Sequence, residues 1–440
     1  MNKSVRIGFL LLALLLLASI IPNLGIEINT FGFYWNFFRL VVVLSAFIML
    51  ILFRGEIRVG ERKGFLFWIA FFGIWLLYGG ILLVASPYSD KSRGVQELFS
   101  VFCALLVFYC FSRFDLSGQE MEGLLRVVFF LLTGLILFGF YEILTANHLS
   151  TSMFADELNL QAAKLDPHTA AGIMYNINDF SALLTILCPV TIGRFRIHLR
   201  RIYLDPGWLL VLGVIMINRI NDANICNAAL IAGILTYFLV TMHGDRRKLG
   251  KVLMGLVVLL AVLVVVYISM GQTSGGLVAR WQDQMDYMNA GGGSLHARIL
   301  IYRDALLAGF RTGFLGVGPG GFPVYCEQTL TESSFVNPHS FLLEIFSEYG
   351  LLIFLLFVIL IGRLICSMFR LYQNAGDEQI RNYGLVGLIM LVVYLIASFA
   401  PSSFILNAYQ WGLLALLVLI SEQGKKWMAE EKERTGYAYV

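Results

Sequence analysis

The stretch SSFVNPHSFLLEIFSEYGLLIFLLFVILIG, residues 333–362, decides the fold class because most of it is able to cross a membrane as a helix. From residue 341 onward it is largely apolar for about 20 residues, the length that spans a hydrocarbon core of about 30 Å. A helix that only faced lipid would have no use for a histidine at its start or for two glutamates in its first turns. His339, Glu344 and Glu348 therefore mark this stretch as a candidate functional segment as well as a span.

The whole chain has the composition of a polytopic membrane protein. Of its 440 residues 58% are hydrophobic and 14% are charged, whereas about a quarter of the residues of a soluble protein are charged. The pattern predicts an all-α polytopic membrane protein of about twelve transmembrane helices. The apolar runs lie near residues 7–23, 37–53, 65–85, 98–112, 124–145, 180–193, 208–218, 225–242, 252–270, 341–362, 383–400 and 408–421.

The basic residues predict how the chain is oriented. Lysine and arginine follow every second apolar run and are sparse after the others, so the positive-inside rule places both termini in the cytoplasm. The two long segments 147–179 and 271–340 fall on the outer side, so we expect the protein to act on the outer face of a membrane; the resemblance given below implies that this is the bacterial cytoplasmic (inner) membrane. The predicted parts are the first nine helices with an outer loop at 147–179 (1–270), a large extracytoplasmic loop with short interfacial helices (271–340), the last three helices (341–421) and a basic cytoplasmic tail (422–440).

Charge and cysteine content exclude some functions. The net charge of +3 says nothing about partners, because the basic residues are explained by membrane topology, and we expect no nucleic-acid partner. The six cysteines are scattered without metal-ligand spacing, and the outer loops carry no acidic cluster that would bind a metal. We expect neither a metal nor another cofactor.

The large outer loop carries an unusual group of arginines, Arg280, Arg298, Arg303 and Arg311. One interpretation is a site for an anion such as phosphate, which arginine binds in a planar, bidentate manner. The other is a set of solvated charges near anionic lipid headgroups. Both interpretations stay open for each single arginine.

Within this loop, residues 296–310 predict a short amphipathic helix at the membrane surface. The side chains expected on one face are Ile299, Leu300, Tyr302, Ala305 and Leu306.

The segment GVGPGG, residues 316–321, formally fits a dinucleotide-binding pattern. That pattern needs a preceding strand and a βαβ unit, which this region does not offer. We interpret it as a tight turn, because glycine and proline supply backbone angles that other residues disfavour.

The residues around His339 predict a base at a helix start. Asn337 is a good N-cap and Pro338 a good first helical residue, which would place His339 in the first turn. A helix N-terminus disfavours a cationic imidazole and so lowers its pKa, and a neutral imidazole is able to act as a general base. The alternative is an interfacial histidine beside a structural polar seam formed by Glu344 and Glu348.

The order of these motifs resembles the O-antigen ligase/polymerase superfamily, which includes capsular and teichuronic-type polymerases. These are multispanning glycosyltransferases that act on undecaprenyl-diphosphate-linked glycans outside the cytoplasmic membrane. The segment GIMYNINDFSALL (172–184) is also similar to the start of a mid-chain span in this family. The other positions that match are Arg298, Tyr302, Gly316 to Gly321, His339 and Glu348-Tyr349-Gly350.

Two positions depart from the family pattern. The histidine is usually followed by asparagine, and here it is followed by Ser340. A Ser-Arg pair usually opens a mid-chain span, where this chain has Ala223-Asn224. Arg219 is a candidate replacement, although regular helical spacing would turn it onto another face.

The resemblance implies metal-independent and cofactor-free glycosyl transfer from an undecaprenyl-diphosphate-linked glycan to an acceptor sugar hydroxyl. His339 would be the catalytic base, and the aromatic-rich span 65–85 would line a groove for the polyprenyl tail. Diphosphate-binding roles fall to Arg298 first, then to Arg219, Arg280 and Arg303, with supporting roles for Glu344, Glu348, Tyr302 and Gly318.

Several activities fit this resemblance. A fairly small outer loop and long aliphatic spans favour a polymerase or a ligase of capsular, teichuronic or O-antigen type, and of these two we expect a polymerase. A protein O-oligosaccharyltransferase is a third activity within the family. A transporter or flippase of lipid-linked sugars is the alternative from another class, and polar groups gathered at the outer interface favour an enzyme over it. The expected partners are the lipid-linked glycan, an acceptor glycan or lipid, membrane lipids, and chain-length or flippase proteins.

Overall fold

The computed structural model of the chain describes residues 3–23, 27–30, 33–52, 63–155, 166–191, 207–241, 294–329 and 337–435, and these are mainly helical. The predicted all-α class is confirmed. A small antiparallel hairpin, β1 (Glu27–Thr30) and β2 (Phe33–Asn36), was not predicted. The helices are α1 (Lys3–Ile20), α2 (Phe37–Leu52), α3 (Lys63–Ala85), α4 (Lys91–Ser112), α5 (Gly118–Thr145), α6 (Ile177–Leu187), α7 (Gly207–Ile220), α8 (Asn224–Thr241), α9 (Ser294–Arg311), α10 (Phe322–Gln328), α11 (Phe341–Asn374), α12 (Glu378–Ala397) and α13 (Ala408–Thr435).

Length and composition mark this as a membrane-embedded protein. Within the described residues, six helices are long and apolar enough to span a bilayer, namely α3, α4, α5, α8, α11 and α12. Helices α1, α2, α6 and α7 are apolar but shorter. The predicted run 252–270 lies outside the described residues, so the count of about twelve spans stays a prediction.

The aromatic side chains of α3 form part of the core. Trp68, Phe72 and Trp75 are at most 3% exposed. Phe72 lies edge-on to Phe108 of α4 with ring centres 5.0 Å apart, and Trp75 lies 6.1 Å from Trp411 of α13. These three aromatic residues join three helices, and the expectation that the span 65–85 lines a groove for the polyprenyl tail stays a prediction.

Helix α11 is longer than the predicted span 341–362, and it is broken at Gly350. That glycine has φ 71° and ψ −173°, which no α-helical residue adopts. The break leaves carbonyl groups of the preceding turn without partners inside the helix. The carbonyl of Ser347 accepts from the Val317 amide at 2.8 Å, and the carbonyl of Glu348 accepts from the Gly318 amide at 2.9 Å.

The glycine turn at 316–321 fits into this break, so it is a structural turn as predicted. A Cβ on Gly316 would lie 2.4 Å from the carbonyl oxygen of Glu348, and a Cβ on Gly350 would lie 2.3 Å from that of Phe314. Both glycines have positive φ. Only residues without a side chain allow two backbones to approach so closely.

Helix α9 confirms the helix predicted at 296–310, and its place at the membrane surface stays a prediction. Ile301, Ala305 and Ala308 are fully buried, whereas Ile299 is 52% exposed. Helix α9 packs along α11 with the face that carries Ile301, Ala305 and Ala308. Apolar side chains on its other face, such as Ile299, are exposed. Periodicity does not distinguish two apolar faces from one.

Replacement of Gly350 with alanine is expected to lower the free energy of unfolding by at least about 2 kcal/mol, because the new Cβ meets backbone and the positive φ becomes strained. Gly362→Ala in the same helix is the matched control, since its Cβ would meet nothing within 4 Å. We expect the control to be neutral or slightly stabilising. Thermal unfolding in detergent compares the two variants, and equal midpoints would contradict the described packing.

Candidate functional site

His339 lies outside the helix in which it was predicted. Helix α11 begins at Phe341, and Ser340 is its N-cap, with backbone angles in the extended region. Asn337, the predicted cap, instead accepts a hydrogen bond from Arg93. Serine is a strong N-cap, and the side chain of Ser340 accepts a hydrogen bond from the Leu343 amide.

The backbone of His339 is held on both sides in a left-handed conformation, with φ 49°. Its amide donates to the carbonyl of Ser402 at 3.3 Å, and its carbonyl accepts from the Tyr302 hydroxyl at 3.3 Å. The imidazole hydrogen-bonds to the backbone of Ala400. Helix α9 and the loop between α12 and α13 therefore fix this residue together.

Arg298 lies one helical turn before Tyr302 on α9 and reaches the same loop. Its guanidinium donates to the carbonyl of Phe399 at 2.6 Å, just past the end of α12, where a cation is favoured. The ring of Tyr302 lies edge-on to that of Phe399, with centres 6.2 Å apart. The structure thus brings together Arg298, Tyr302 and His339, three of the residues that the sequence singled out.

The imidazole of His339 is electrostatically tuned by this setting. Burial lowers its pKa from 6.5 to about 4, with the positive charge of Arg298 as the next cause. The direction agrees with the prediction, but the cause is not a helix N-terminus because the residue precedes the helix. At neutral pH this histidine is uncharged and has a lone pair that is able to accept a proton.

Among the described residues, the guanidinium of Arg298 has more donors than its partners use. Arginine carries five N–H donors, and Phe399 and Tyr302 account for one hydrogen bond each. A planar fork of this kind is able to match the oxygens of a phosphate group. The cluster therefore places a guanidinium beside a neutral imidazole.

Glu344 holds the loop that carries Ser402. Its carboxylate is 1% exposed and accepts from the Ser403 hydroxyl at 2.5 Å, from the Phe404 amide at 2.9 Å and from the Ile405 amide at 3.3 Å. These contacts tie the α12–α13 loop to the first turn of α11. The role is positioning, since the carboxylate contacts this loop rather than the imidazole.

Glu348 holds the glycine turn. Its carboxylate accepts from the Phe322 amide at 3.4 Å, at the start of α10. It lies beside Glu97 of α4, which accepts from the Gly320 amide at 2.9 Å. Glu97 is also paired with Arg93 at 3.2 Å. Two buried carboxyl groups and one guanidinium therefore join α4, α11 and the turn.

Arg93 and Glu97 were missed by the sequence analysis. Both lie near the start of α4, and Arg93 contacts Asn337, two residues before His339. A signal was present, since Glu97 is a carboxylate inside a helix of spanning length, which marks a functional or structural contact.

Arg219 lies near the position of the family's missing arginine. The corner between α7 and α8 brings its guanidinium 3.5 Å from the side-chain oxygen of Asn224 and 3.9 Å from Asp222. The expected separation by helical spacing was wrong, because the helix ends between these residues. Ala223 packs with Ala400, the residue that contacts His339.

The remaining predicted site residues fall in different settings. Arg303 pairs with Asp304 at 3.2 Å, and its side chain is 48% exposed. Gly318 has φ 92° and donates its amide to Glu348, so it belongs to the turn. Arg280 lies outside the described residues.

Replacement of Glu344 with alanine is expected to destabilise the protein by about 3 kcal/mol or more, since three buried donors lose their acceptor. Glu344→Gln keeps one acceptor oxygen and should lose less. The matched control is Glu122→Ala, which removes a carboxylate that pairs with exposed Arg126 and should change stability by no more than about 0.5 kcal/mol. Thermal unfolding measures all three variants; a control that loses as much as Glu344→Ala would refute the positioning role.

Comparisons with known proteins agree with this geometry. Residues 224–358 match the family model described as O-antigen ligase, and this segment includes Arg298, Tyr302 and His339. The teichuronic acid biosynthesis protein TuaE of Bacillus subtilis (strain 168) is 22% identical over 363 residues, which cover 80% of this chain and 70% of that protein. Both matches point to a glycosyltransferase-type enzyme, and the resemblance drawn from the motifs is confirmed.

Proposed function

On the premise that this chain is a member of the O-antigen ligase/polymerase superfamily, we propose that it transfers a glycan from an undecaprenyl-diphosphate carrier to an acceptor sugar hydroxyl. The observation that carries the proposal is the meeting of Arg298, Tyr302 and His339 at one loop. Both comparisons support polysaccharide polymerisation or ligation in general.

The proposed reaction breaks one bond and forms another. The acceptor hydroxyl oxygen attacks the anomeric carbon of the donor glycan, and His339 takes the hydroxyl proton as general base. The bond from the anomeric carbon to the diphosphate oxygen breaks, and undecaprenyl diphosphate leaves with the bonding electrons. Arg298 stabilises the negative charge that develops on this leaving group.

Donor binding would strengthen the base. In the free protein, burial and the charge of Arg298 hold the pKa of His339 at about 4, where an imidazole is a weak base. A diphosphate bound to Arg298 would offset its charge and so raise that pKa, while burial, the larger cause of the lowered pKa, would remain. The histidine would thus be a stronger base with the donor in place than in the free protein.

The positions of Arg219 and Arg303 decide their proposed roles in diphosphate binding. Arg219 beside Asn224 is the replacement that we propose for the family's missing arginine, at the corner next to Ala400. Arg303 stays a weaker candidate because Asp304 already offsets its charge. Glu344 and Glu348 brace the loop and the turn, and neither is assigned a contact with substrate.

Helix geometry supports an extracytoplasmic site. Helix α3 has 23 residues and is therefore about 35 Å long, close to the thickness of a hydrocarbon core. Just past its end, the Ser86 hydroxyl bonds to Val317 of the glycine turn, whereas its start at Lys63 lies near the basic part of α13. With the basic end in the cytoplasm, the end that carries His339 faces outward.

Replacement of His339 with alanine is expected to lower transfer activity by about 10²- to 10⁴-fold while the protein stays in the membrane, since a general base contributes roughly that factor. His168→Ala is the matched control, because His168 is an exposed histidine in another loop. The measurement is the length of the glycan chains on cells that carry each variant, and an immunoblot checks the protein level.

The result also separates the activities. Loss of long polymer with accumulation of single lipid-linked repeats supports a polymerase, which we favour. Polymer that forms but stays on its lipid carrier supports a ligase, and unglycosylated protein beside normal polymer supports protein glycosylation. If His339→Ala and His168→Ala both leave the glycans unchanged, the base assignment fails and transport of lipid-linked sugars becomes the better interpretation.

The acid limb of the pH–rate profile should lie at a different pH for kcat/KM, which reports on the free protein, than for kcat, which reports on the donor complex. For the free protein the limb should fall near pH 4, because His339 must be neutral to accept a proton and its pKa is about 4. For the donor complex it should move to higher pH, because the diphosphate offsets the charge of Arg298. Rates in proteoliposomes with a lipid-linked donor test this, and coincident limbs would argue against an anion at Arg298.

A further inference from the structure

A groove of about 1000 Å³ opens between α3, α11 and α13, at the end of these helices away from His339. Its lining includes the first residues of α3, the second half of α11 and the middle of α13. None of these residues contributes to the site described above, so the groove calls for its own explanation.

The rim of this groove is strongly basic. Five basic side chains and one acidic side chain, Glu422, line it. Two of the basic residues already have partners, since Lys425 pairs with Glu422 at 2.6 Å and Lys426 pairs with Asp115.

The other three basic residues of the rim are Lys63, Arg363 and Arg370. Within the parts of the chain that the structure describes, none of the three forms an ion pair. Arg363 and Arg370 are seven residues apart on α11, so both lie on the same face of the helix. The rim thus offers two arginines and a lysine to an anion.

The wall below this rim is apolar. Phe67 and Trp68 of α3, Leu364 of α11 and Val418 of α13 line it. The guanidinium of Arg363 lies 4.4 Å from the centre of the Phe67 ring, so the charged and apolar parts are continuous. Gly362 widens the groove, because a Cβ there would meet nothing within 4 Å.

We propose that this groove binds an anionic phospholipid of the leaflet on its side of the membrane. The phosphate lies at Arg363, Arg370 and Lys63, and an acyl chain runs along the apolar wall. Free phosphate would match the basic rim but leave the apolar wall without a partner. A neutral lipid would match the wall but leave the basic side chains of the rim without an anion. A basic recess between helices at the cytoplasmic side is a setting in which anionic headgroups bind.

The test uses the purified full chain in nanodiscs of phosphatidylcholine with and without ~20% phosphatidylglycerol. At about one lipid in five, phosphatidylglycerol is in excess over a single binding site. Native mass spectrometry counts retained phosphatidylglycerol, and thermal unfolding measures its effect. The double variant Arg363→Gln/Arg370→Gln should bind it about 30-fold more weakly, since each basic residue contributes roughly a factor of five. Gly362→Leu should block the acyl chain without removing charge.

Two matched controls make the result specific. Arg126→Gln/Arg381→Gln removes the same charge from exposed arginines outside the lining, and Gly73→Leu adds the same side chain at another glycine whose Cβ would meet nothing within 4 Å. Preference for phosphatidylglycerol that both test variants lose and both controls keep supports the proposal. No preference in the parent protein, equal losses in the controls, or full replacement of the lipid by inorganic phosphate would overturn it.

Discussion

The structure depends on the backbone pairing between the break in α11 and the glycine turn. A helix that breaks inside a membrane protein exposes carbonyl groups that neither water nor lipid satisfies there, at a cost of several kcal/mol for each. Here the amides of Val317 and Gly318 supply the partners, and the Leu351 amide donates back to Phe314 at 2.9 Å. The glycines at 316 and 350 are required because the two backbones touch. The Glu-x-Gly motif and the glycine turn are therefore two halves of one structural unit.

This unit places the chemical groups. Glu344 and Glu348 lie on the first part of α11, before the break, and they hold the α12–α13 loop and the glycine turn respectively. The loop in turn contacts both His339 and Arg298. Glu344 and Glu348, for which the sequence predicted supporting roles, thus hold the segments around the imidazole of His339 and the guanidinium of Arg298. That separation of roles explains why so many buried charges surround one small cluster.

The sequence was sufficient for the fold class and the positions of most described helices, because hydrophobic runs are local signals. It also singled out Arg298, Tyr302 and His339, which meet at one loop, and their roles stay a prediction. It failed for Asn337, whose capping role was lost to a contact with Arg93, 244 positions away. For α9 it did not single out Ile301, which is buried where the helix packs on α11. It also missed Glu97, whose importance depends on packing against the turn. Long-range contacts of this kind leave no periodic signal in one sequence.

The central claim is that Arg298 and His339 form one site for a lipid-linked diphosphate and its transfer. The most direct measurement is an experimental structure of the full chain in nanodiscs with undecaprenyl diphosphate bound. The account predicts diphosphate oxygens within hydrogen-bond distance of the Arg298 guanidinium, about 2.7–2.9 Å, with the His339 imidazole facing the same cavity. A diphosphate bound elsewhere, with Arg298 still engaged only by Phe399 and Tyr302, would contradict it.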